Sequence, residues 1–308
     1  MKKRSGFTML ELLFVIVVVG IMSKFGVEFL FQAYRSFIFS SVNNVLQAQT
    51  ISSVELIAKR LQHRIKGSTI ARDQSSLDTA FVPISDATGE TYIALEWIGE
   101  DSEGFRGNGA TPYWSGILDF DAPDTNDSLL VSVATDTSVL DEQIKILSHN
   151  TGSGTTIDDA AIYFQDCYNI LGFGWAGAYN SNTSLTFDAL DTCIHPINKT
   201  AVATQLSAGV FDFDSKTIPE YYQLAWTAYA LVTENYDDQK GMGTLYLYYD
   251  YQPWNGEKYS DGKKALVAQN VSAFRFRSYG TSVKVQLCIK SDLIEDEEYA
   301  LCKDKTIY

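Results

Sequence analysis

A single carboxylate interrupts the apolar run near the start of the chain. From Gly6 to Met22 the sequence reads GFTMLELLFVIVVVGIM, and its one charged residue is Glu11. An acid that faces hydrocarbon costs roughly 2.5–3.5 kcal/mol on insertion scales, so we expect it to have a function. If the peptide bond after Gly6 is cut, the new amine of Phe7 lies four residues from Glu11 on the same helix face. The two charges can then neutralise each other, within one chain or between neighbours, and this pattern predicts that Glu11 is an assembly residue.

The first six residues have the composition of a short cationic leader. Lys2, Lys3 and Arg4 precede the apolar run, and such residues favour a cytoplasmic N-terminus. A Sec signal peptide would carry small residues after its apolar core, and a lipoprotein would carry a cysteine there; the sequence has neither pattern. We therefore predict a leader at residues 1–6, a membrane-spanning helix at residues 7–31, and the remaining chain outside the inner membrane.

Gly6, Phe7 and Glu11, followed by an apolar run, resemble the class III signal of type IV pilins and type II secretion pseudopilins. The resemblance implies that a prepilin peptidase cleaves between Gly6 and Phe7 and methylates the new N-terminus, and that Glu11 acts in filament assembly. It also implies partners: other minor and major pilins or pseudopilins, an inner-membrane assembly platform and membrane lipid. The sequence departs from this family at Met9, where leucine is commoner, and it lacks the proline that kinks the helix of many major pilins.

The second part of the predicted helix is amphipathic. Its apolar residues recur at spacings of three and four, which is typical of a helix with one buried face: Val54, Ile57, Leu61 and Ile65. Gly67 follows a group of basic residues and is predicted to be the C′ residue of the helix. We predict one helix of roughly 60 residues that begins at Phe7. Residues 7–31 lie in the membrane and residues 32–67 pack on a soluble domain.

After Gly67 the pattern changes to β-strands separated by turns. Alternating apolar and polar residues predict these strands: Tyr92–Ile98, Leu129–Ala134, Ala161–Cys167, Tyr222–Val232, Thr244–Tyr251, Val271–Arg277 and Val283–Ile289. The predicted fold class is α+β, a long N-terminal helix packed on an antiparallel sheet as in pilins. Residues 68–308 are predicted to form one periplasmic domain, with a large β-rich insertion at about residues 80–215.

The last third of the chain resembles the closing sheet of J-type minor pseudopilins and PilW-type minor pilins. The resemblance rests on three segments: YYQLAWTAYALV, GTLYLYYDYQPW and NVSAFRFRSYGTSVKVQLCIK. The many aromatic residues in these segments are predicted to pack on both faces of a sheet, and a ligand-stacking platform is the alternative. K-type tip subunits usually lack the early glutamate, so Glu11 argues against that subtype.

Four cysteines follow the apolar segment, and no two of them have the CxxC spacing of zinc or thioredoxin sites. They are predicted to form two disulfides in an oxidising compartment. Three pairings are possible, and sequence proximity favours Cys167 with Cys193 and Cys288 with Cys302. Four buried free thiols are the alternative.

The charge and the motifs argue against nucleic-acid binding and against catalysis. The chain has 38 acidic and 24 basic residues, which gives a net charge of -14, whereas phosphate backbones are bound by clustered Lys and Arg. His63, His149 and His195 belong to no hydrolase or metalloprotease motif, and no third group is placed beside Cys193 and His195. We therefore expect no enzymatic activity, no catalytic residue, no cofactor and no nucleic-acid partner.

An acidic loop, DFDAPDTND, holds the remaining candidate ligands. Four carboxylates are candidates for calcium: Asp119, Asp121, Asp124 and Asp127. The loop lacks the spacing and the glycine of an EF-hand, so a solvated turn is the favoured interpretation. The loop also contains Asn126-Asp-Ser128, an N-x-S glycosylation acceptor with an acid two residues before it, the form that bacterial N-glycosylation prefers. Shorter sequons occur at Asn182, Asn198 and Asn270.

These patterns together favour a minor pilin or pseudopilin, a structural subunit at or near the tip of a filament that primes assembly. A type II secretion pseudopilus and a type IV pilus both remain open. The alternative hypothesis is a pilus-tip adhesin that uses the inserted region. A membrane-tethered periplasmic enzyme is the third and least favoured hypothesis. The expected location is the inner membrane before assembly and the periplasmic pseudopilus or surface pilus after it.

Overall fold

The computed structural model describes residues 8–73, 80–88, 91–148, 154–165, 167, 169–175, 192–208, 219–291 and 299–308. Over these residues the chain forms a long N-terminal helix, two shorter helices and two antiparallel sheets, so the predicted α+β class is confirmed. Gly6, Phe7, His149 and Asn182 lie outside the described residues.

The helices and strands of the described residues are numbered in chain order. The helices are α1 (Met9–Gln62), α2 (Ser102–Arg106) and α3 (Thr137–Leu147). The strands are β1 (Ile70–Asp73), β2 (Val82–Pro83), β3 (Tyr92–Gly99), β4 (Leu129–Val131), β5 (Ala161–Phe164), β6 (Ile194–Lys199), β7 (Gln205–Ala208), β8 (Tyr222–Ala225), β9 (Thr227–Asp237), β10 (Met242–Tyr249), β11 (Lys263–Tyr279), β12 (Ser282–Lys290) and β13 (Ala300–Ile307).

Helix α1 is one uninterrupted helix of 54 residues, about 80 Å long. It ends at Gln62, four residues before the predicted end, and Gly67 is not its C′ residue but lies in a following 3-10 turn. The reason is that the chain joins the sheet earlier: Arg64 forms an antiparallel bridge with Gly99. The guanidinium of Arg64 also turns back and donates to the carbonyl of Leu61 at 2.8 Å, which satisfies one of the unpaired carbonyls at the helix end.

The second half of α1 packs on one face of an eight-stranded antiparallel sheet with the order β13-β12-β11-β10-β9-β3-β1-β2. The predicted apolar stripe of the helix is confirmed at Val54, Ile57 and Leu61, which are at most 4% exposed. Ile65 is buried as well, but it follows the end of α1 and belongs to a different core cluster. Leu61 belongs to a core cluster that also contains Trp97 from β3 and Leu287 from β12. The helix therefore packs on strands from both halves of the sheet, including β3 and β12.

The opposite face of this sheet is also buried, against the inserted part of the chain. Aromatic residues fill much of this interface, where Tyr248, Tyr251 and Trp254 are at most 7% exposed. Two more of the aromatic residues predicted to pack, Tyr222 and Trp226, are buried in the core of the inserted sheet. Tyr221, in contrast, is 58% exposed. Trp254 donates its indole N–H to the carbonyl of Asp159 at 2.9 Å, so the polar end of the ring is satisfied as well.

A second sheet of five strands, in the order β4-β7-β6-β5-β8, lies in the chain between β3 and β9, which are neighbours in the first sheet. The insertion therefore begins after Gly99 and ends at Ala225, so the predicted bounds of 80 and 215 are wrong at both ends. The strand β3 belongs to the first sheet because it pairs with β9 from Ala94 to Gly99. The inserted sheet has a core of its own, in which Leu140 and Ile144 of α3 contact Trp114 and Leu224.

Several of the predicted strands are wrong in their bounds: β5 ends at Phe164 and not at Cys167, and β11 begins at Lys263 and not at Val271. The predicted strand Tyr222–Val232 is two strands, β8 and β9, in different sheets, and Trp226 separates them. The predicted strand Leu129–Ala134 ends at Val131, because Ala134 has a left-handed backbone with φ 59° that turns the chain away. The helix α3 was not predicted; Asp136 caps its N-terminus by accepting from the N–H groups of Ser138 and Val139.

Candidate functional site

Glu11 lies in the first turn of α1, where Thr8 is the N-cap residue. The Glu11 carboxylate accepts a hydrogen bond from the Thr8 backbone N–H at 3.1 Å and another from the Thr8 hydroxyl at 3.0 Å. The backbone N–H of Glu11 in turn donates to Thr8 Oγ1 at 3.4 Å. This is a capping box, and the Thr-x-x-Glu spacing is its sequence signal. It places the carboxylate at the positive end of the helix dipole.

The carboxylate of Glu11 also lies next to the predicted cleavage site. Gly6 and Phe7 are outside the described residues, but the Thr8 N–H that Glu11 binds directly follows Phe7 in the chain. Cleavage after Gly6 would therefore create a positive amine on the residue before Thr8, to which the Glu11 carboxylate is already hydrogen-bonded. The capping box gives Glu11 a local structural role in addition to the assembly role that the sequence predicts.

The first half of α1 has no contact with the rest of the described chain that buries its apolar residues. Its large apolar side chains between Met9 and Phe37 are 36–90% exposed. Among the described residues, α1 is the one helix that is long and apolar enough to cross a membrane, and none of its most apolar part is buried. This half of the helix therefore anchors the chain in a membrane or contacts other apolar helices.

The exposed half of α1 has two different faces after Met22. Four exposed polar residues form a stripe along one side, in which the last three lie four, eight and eleven residues after the first: Lys24, Glu28, Gln32 and Arg35. Leu46, which is buried against the sheet, lies about five full turns after Glu28 and so shares the direction of this stripe. Phe37 lies about two and a half turns after Glu28, on the opposite side of the helix.

The face opposite the domain is apolar and rich in aromatic residues. Leu30, Tyr34 and Phe37 follow each other at spacings of four and three and are 67%, 65% and 71% exposed. A bilayer core of about 30 Å takes up about 20 residues of helix, whereas Phe37 is 30 residues after Phe7. The aromatic face, defined here as Leu30, Tyr34 and Phe37, therefore extends beyond a hydrocarbon layer that begins at Phe7.

Two disulfides join the four cysteines. Cys167 is bonded to Cys193 and Cys288 to Cys302, which is the pairing favoured by sequence proximity. Cys288 and Cys302 are directly opposite each other on β12 and β13, at the edge of the first sheet. Disulfides of this kind are typical of proteins in an oxidising compartment.

The histidines take no part in a catalytic arrangement in the described part of the chain. His63 is the C-cap residue of α1. His195 is 2% exposed on β6, where its ring packs at 5.3 Å from that of Phe164. The sulfur of Cys193 is bonded to Cys167, so the pair formed by Cys193 and His195 has no free thiolate to act as a nucleophile.

The acidic loop from Asp119 to Asp127 is a hydrogen-bonded turn. Asp119 accepts from the backbone N–H groups of Asp121 and Ala122 at 3.0 and 3.1 Å. Asp124 accepts from the side chain of Gln205 at 3.1 Å. Within the described ranges no three carboxylate, histidine or cysteine side chains converge as metal ligands. The four calcium candidates therefore lie in a turn in which Asp119 and Asp124 already accept hydrogen bonds.

Two buried acids that the sequence did not indicate connect separate parts of the fold. Glu96 on β3 is 1% exposed, forms an ion pair with Arg72 of β1 and accepts from the Tyr251 hydroxyl at 3.0 Å. Burial raises the pKa of Glu96, while Arg72 opposes this rise. These three residues link β1 and β3 to the chain that follows β10. They are far apart in sequence, so no local sequence pattern indicates the contact.

The second buried acid, Asp101, lies where the chain leaves the first sheet. It caps α2 by accepting from Gly104 N–H at 3.1 Å, and its other oxygen accepts from the indole N–H of Trp114 at 3.1 Å. A further side-chain hydrogen bond comes from Trp226, the residue between the two sheets. Burial raises the pKa of Asp101 to about 6 in spite of these donors. Asp101 is thus hydrogen-bonded to residues at the start of the insertion and to Trp226, which follows its end.

The comparisons with known proteins identify the N-terminal segment. Residues 1–23 match the family described as the prokaryotic N-terminal methylation motif, and this stretch contains Gly6, Phe7 and Glu11. No curated protein and no solved structure matches the chain. The match supports a type IV pilin-like or pseudopilin-like protein, anchored in a membrane through α1 and processed at the motif.

Proposed function

We propose that this chain is a minor pilin or pseudopilin, a structural subunit at or near the tip of a type II secretion pseudopilus or a type IV pilus, where it primes filament assembly. The role is mechanical and involves no catalysis. The observation that carries this proposal is the start of α1, where Glu11 is held by Thr8 beside the methylation-motif cleavage site. A helix that is exposed over its first half and packed over its second half adds support.

The proposed mechanism uses the two halves of α1 separately. The exposed half lies in the inner membrane until a motor adds the subunit to the filament, when the Glu11 carboxylate pairs with the N-terminal amine of a neighbouring subunit. Burying such a pair leaves neither charge unpaired in an apolar environment, and this fixes the axial register of adjacent helices. The size of the globular part, with a second sheet inserted between β3 and β9, favours a minor subunit over the repeating one.

Mass spectrometry of the protein from its native membranes tests this proposal. The expected mature chain starts at N-methylated Phe7, and it is recovered from sheared filaments together with other subunits that carry the same motif. The proposal is contradicted if the chain in the membrane retains Met1 and if the Glu11→Ala variant forms as many filaments as the unchanged protein. That result would leave a membrane-anchored β-rich protein.

The inserted sheet supports a second candidate, a binding module displayed at a filament tip. This sheet has its own apolar core, which includes Trp114, Leu140 and Leu224, and so can present loops without disturbing the first sheet. The test compares cells with and without this subunit at equal filament number. Loss of surface attachment with normal filaments favours the binding module, and loss of filaments favours the assembly role.

A further inference from the structure

We propose that Asn126 is the acceptor of an N-linked glycan on the outer side of the inner membrane. The proposal rests on the proposed placement of the globular part outside the cytoplasm. The donor is an oligosaccharide attached through pyrophosphate to a lipid. In the transfer, Asn126 Nδ2 forms a bond with the anomeric carbon, the bond from that carbon to the pyrophosphate oxygen breaks, the lipid pyrophosphate leaves, and a basic group of the transferase takes a proton from Nδ2.

The amide oxygen of Asn126 is held in a geometry that suits this reaction, while its Nδ2 donates to the Asp124 carbonyl at 3.1 Å and has to release this bond to react. Asn126 and Leu129 close a tight turn, with the N–H of Asn126 donating to the Leu129 carbonyl at 2.8 Å. Within the turn, Asn126 Oδ1 accepts from the Ser128 backbone N–H at 3.0 Å and from the Ser128 hydroxyl at 3.1 Å. Two donors on the amide oxygen withdraw electrons from the amide and make its N–H protons easier to remove. The third residue of the acceptor motif is thus already in contact with the first.

The surroundings of Asn126 leave the motif accessible. Asp124, Asn126, Asp127 and Ser128 are all exposed. The turn leads into β4, whose outer edge is paired with Asp119 through Val131, so access to Asn126 comes from the exposed turn itself and not from a free strand edge. The carboxylate of Asp124, two residues before Asn126, offers a negative charge to a cationic acceptor site.

The other described sequons lie in paired strands. Asn198 is on β6 and is opposite Ser207 of β7, so lifting it into a transferase would break a strand pair. Asn270 lies within β11, is half-buried and has a left-handed backbone with φ 57°, and Val271 after it is fully buried. Asn126 is therefore the described sequon that can be modified without opening a sheet.

The test is peptide mass spectrometry of the full-length protein purified from its native membranes. We expect the peptide that contains Asn126 to carry a sugar mass with the matching sugar fragment ions. Asn126→Gln and Ser128→Ala are expected to lose this mass, whereas Ser128→Thr and the matched control Asn198→Gln keep it. Recovery of the Asn126 peptide from the unchanged protein in its unmodified form alone would overturn the proposal, as would a glycan retained by Asn126→Gln.

The same digest separates this proposal from the proposed function. The N-terminal peptide reports independently whether the chain starts at methylated Phe7. A methylated N-terminus with a bare Asn126 overturns the glycan and keeps the filament subunit. A glycosylated Asn126 on a chain that retains Met1 overturns the filament-subunit proposal and supports the glycan.

Discussion

The carboxylate of Glu11 accepts two hydrogen bonds from Thr8, at 3.1 Å from the backbone N–H and 3.0 Å from the hydroxyl. The acid within the methylation-motif match is therefore also part of the capping box at the start of the long helix. These two roles, charge and cap, make different demands. A capping box accepts either Glu or Gln at this position, whereas pairing with a positive amine requires the ionised acid.

Glu11→Gln is expected to keep the helix start and to lose filament assembly. An amine that is buried without its carboxylate is destabilised by about 3–5 kcal/mol, which corresponds to at least a hundredfold loss in assembly. The measurement is the yield of sheared filaments, with total protein in the membrane as the reference. Thr8→Ala, which removes part of the cap and keeps the charge, is the control and should have the smaller effect. Equal filament yields for Glu11→Gln and the unchanged protein would contradict the charge-pairing role.

The aromatic face of α1 is expected to contact other subunits, whereas the polar stripe is not. All four cysteines are in disulfides, so a single new cysteine provides the one free thiol for a benzophenone label. Phe37→Cys and Gln32→Cys place this label on opposite sides of the same exposed segment. In native membranes we expect Phe37→Cys to give several-fold more cross-linked product with chains that carry a methylation motif. Similar yields at the two positions would mean that the contacts are random collisions.

Local patterns in the sequence predict the parts of this fold that local interactions determine. The spacing of Val54, Ile57 and Leu61 correctly places the buried face of α1, because one helix period decides which side chains meet the sheet. The capping box at Thr8 was not predicted, although its Thr-x-x-Glu spacing is a local signal for it, and the predicted assembly residue Glu11 is part of this cap.

Other parts depend on contacts between residues far apart in sequence. The run from Tyr222 to Val232 alternates as one strand, and its break at Trp226 is fixed by Asp101 and by the different partners of β8 and β9. The ion pair between Arg72 and Glu96 depends on the neighbouring positions of β1 and β3, which no single segment encodes. These contacts decide sheet membership, so the insertion bounds could not be read from the strands alone.

Leu61→Ala is expected to destabilise the attachment of α1 to the sheet. Leu61 is fully buried between the helix and the sheet, and truncation of a buried leucine to alanine costs about 2–5 kcal/mol. Leu56→Ala is the matched control on the same helix, since Leu56 is 43% exposed and its truncation should change stability by about 0.5 kcal/mol or less. Urea unfolding of the full chain in detergent measures both variants. Equal losses would mean that the two helix faces are packed alike, contrary to this structure.

The buried carboxyl of Asp101 is expected to make the folded state less stable as the pH rises from about 4 to about 6. Burial raises its pKa from 3.8 to about 6, so the folded protein holds this proton more tightly than the unfolded chain does. The stabilisation is complete below pH 4 and is lost as the pH rises through 6, which amounts to on the order of 3 kcal/mol. Burial also raises the pKa values of Glu100 and Glu257, so the unchanged protein shows a combined slope.

Asp101→Asn isolates the contribution of this one carboxyl to the pH dependence. The asparagine oxygen can still accept from the Gly104 N–H, but its amide group cannot accept from an indole N–H, so we expect lower stability at pH 4. The informative quantity is the difference in unfolding free energy between the variant and the unchanged protein, measured by urea at pH 4, 5, 6 and 7. This difference should shrink by on the order of 3 kcal/mol between pH 4 and 7, because the variant has no buried proton to lose. A difference that is constant with pH would show that Asp101 ionises in the folded protein as it does in the unfolded chain.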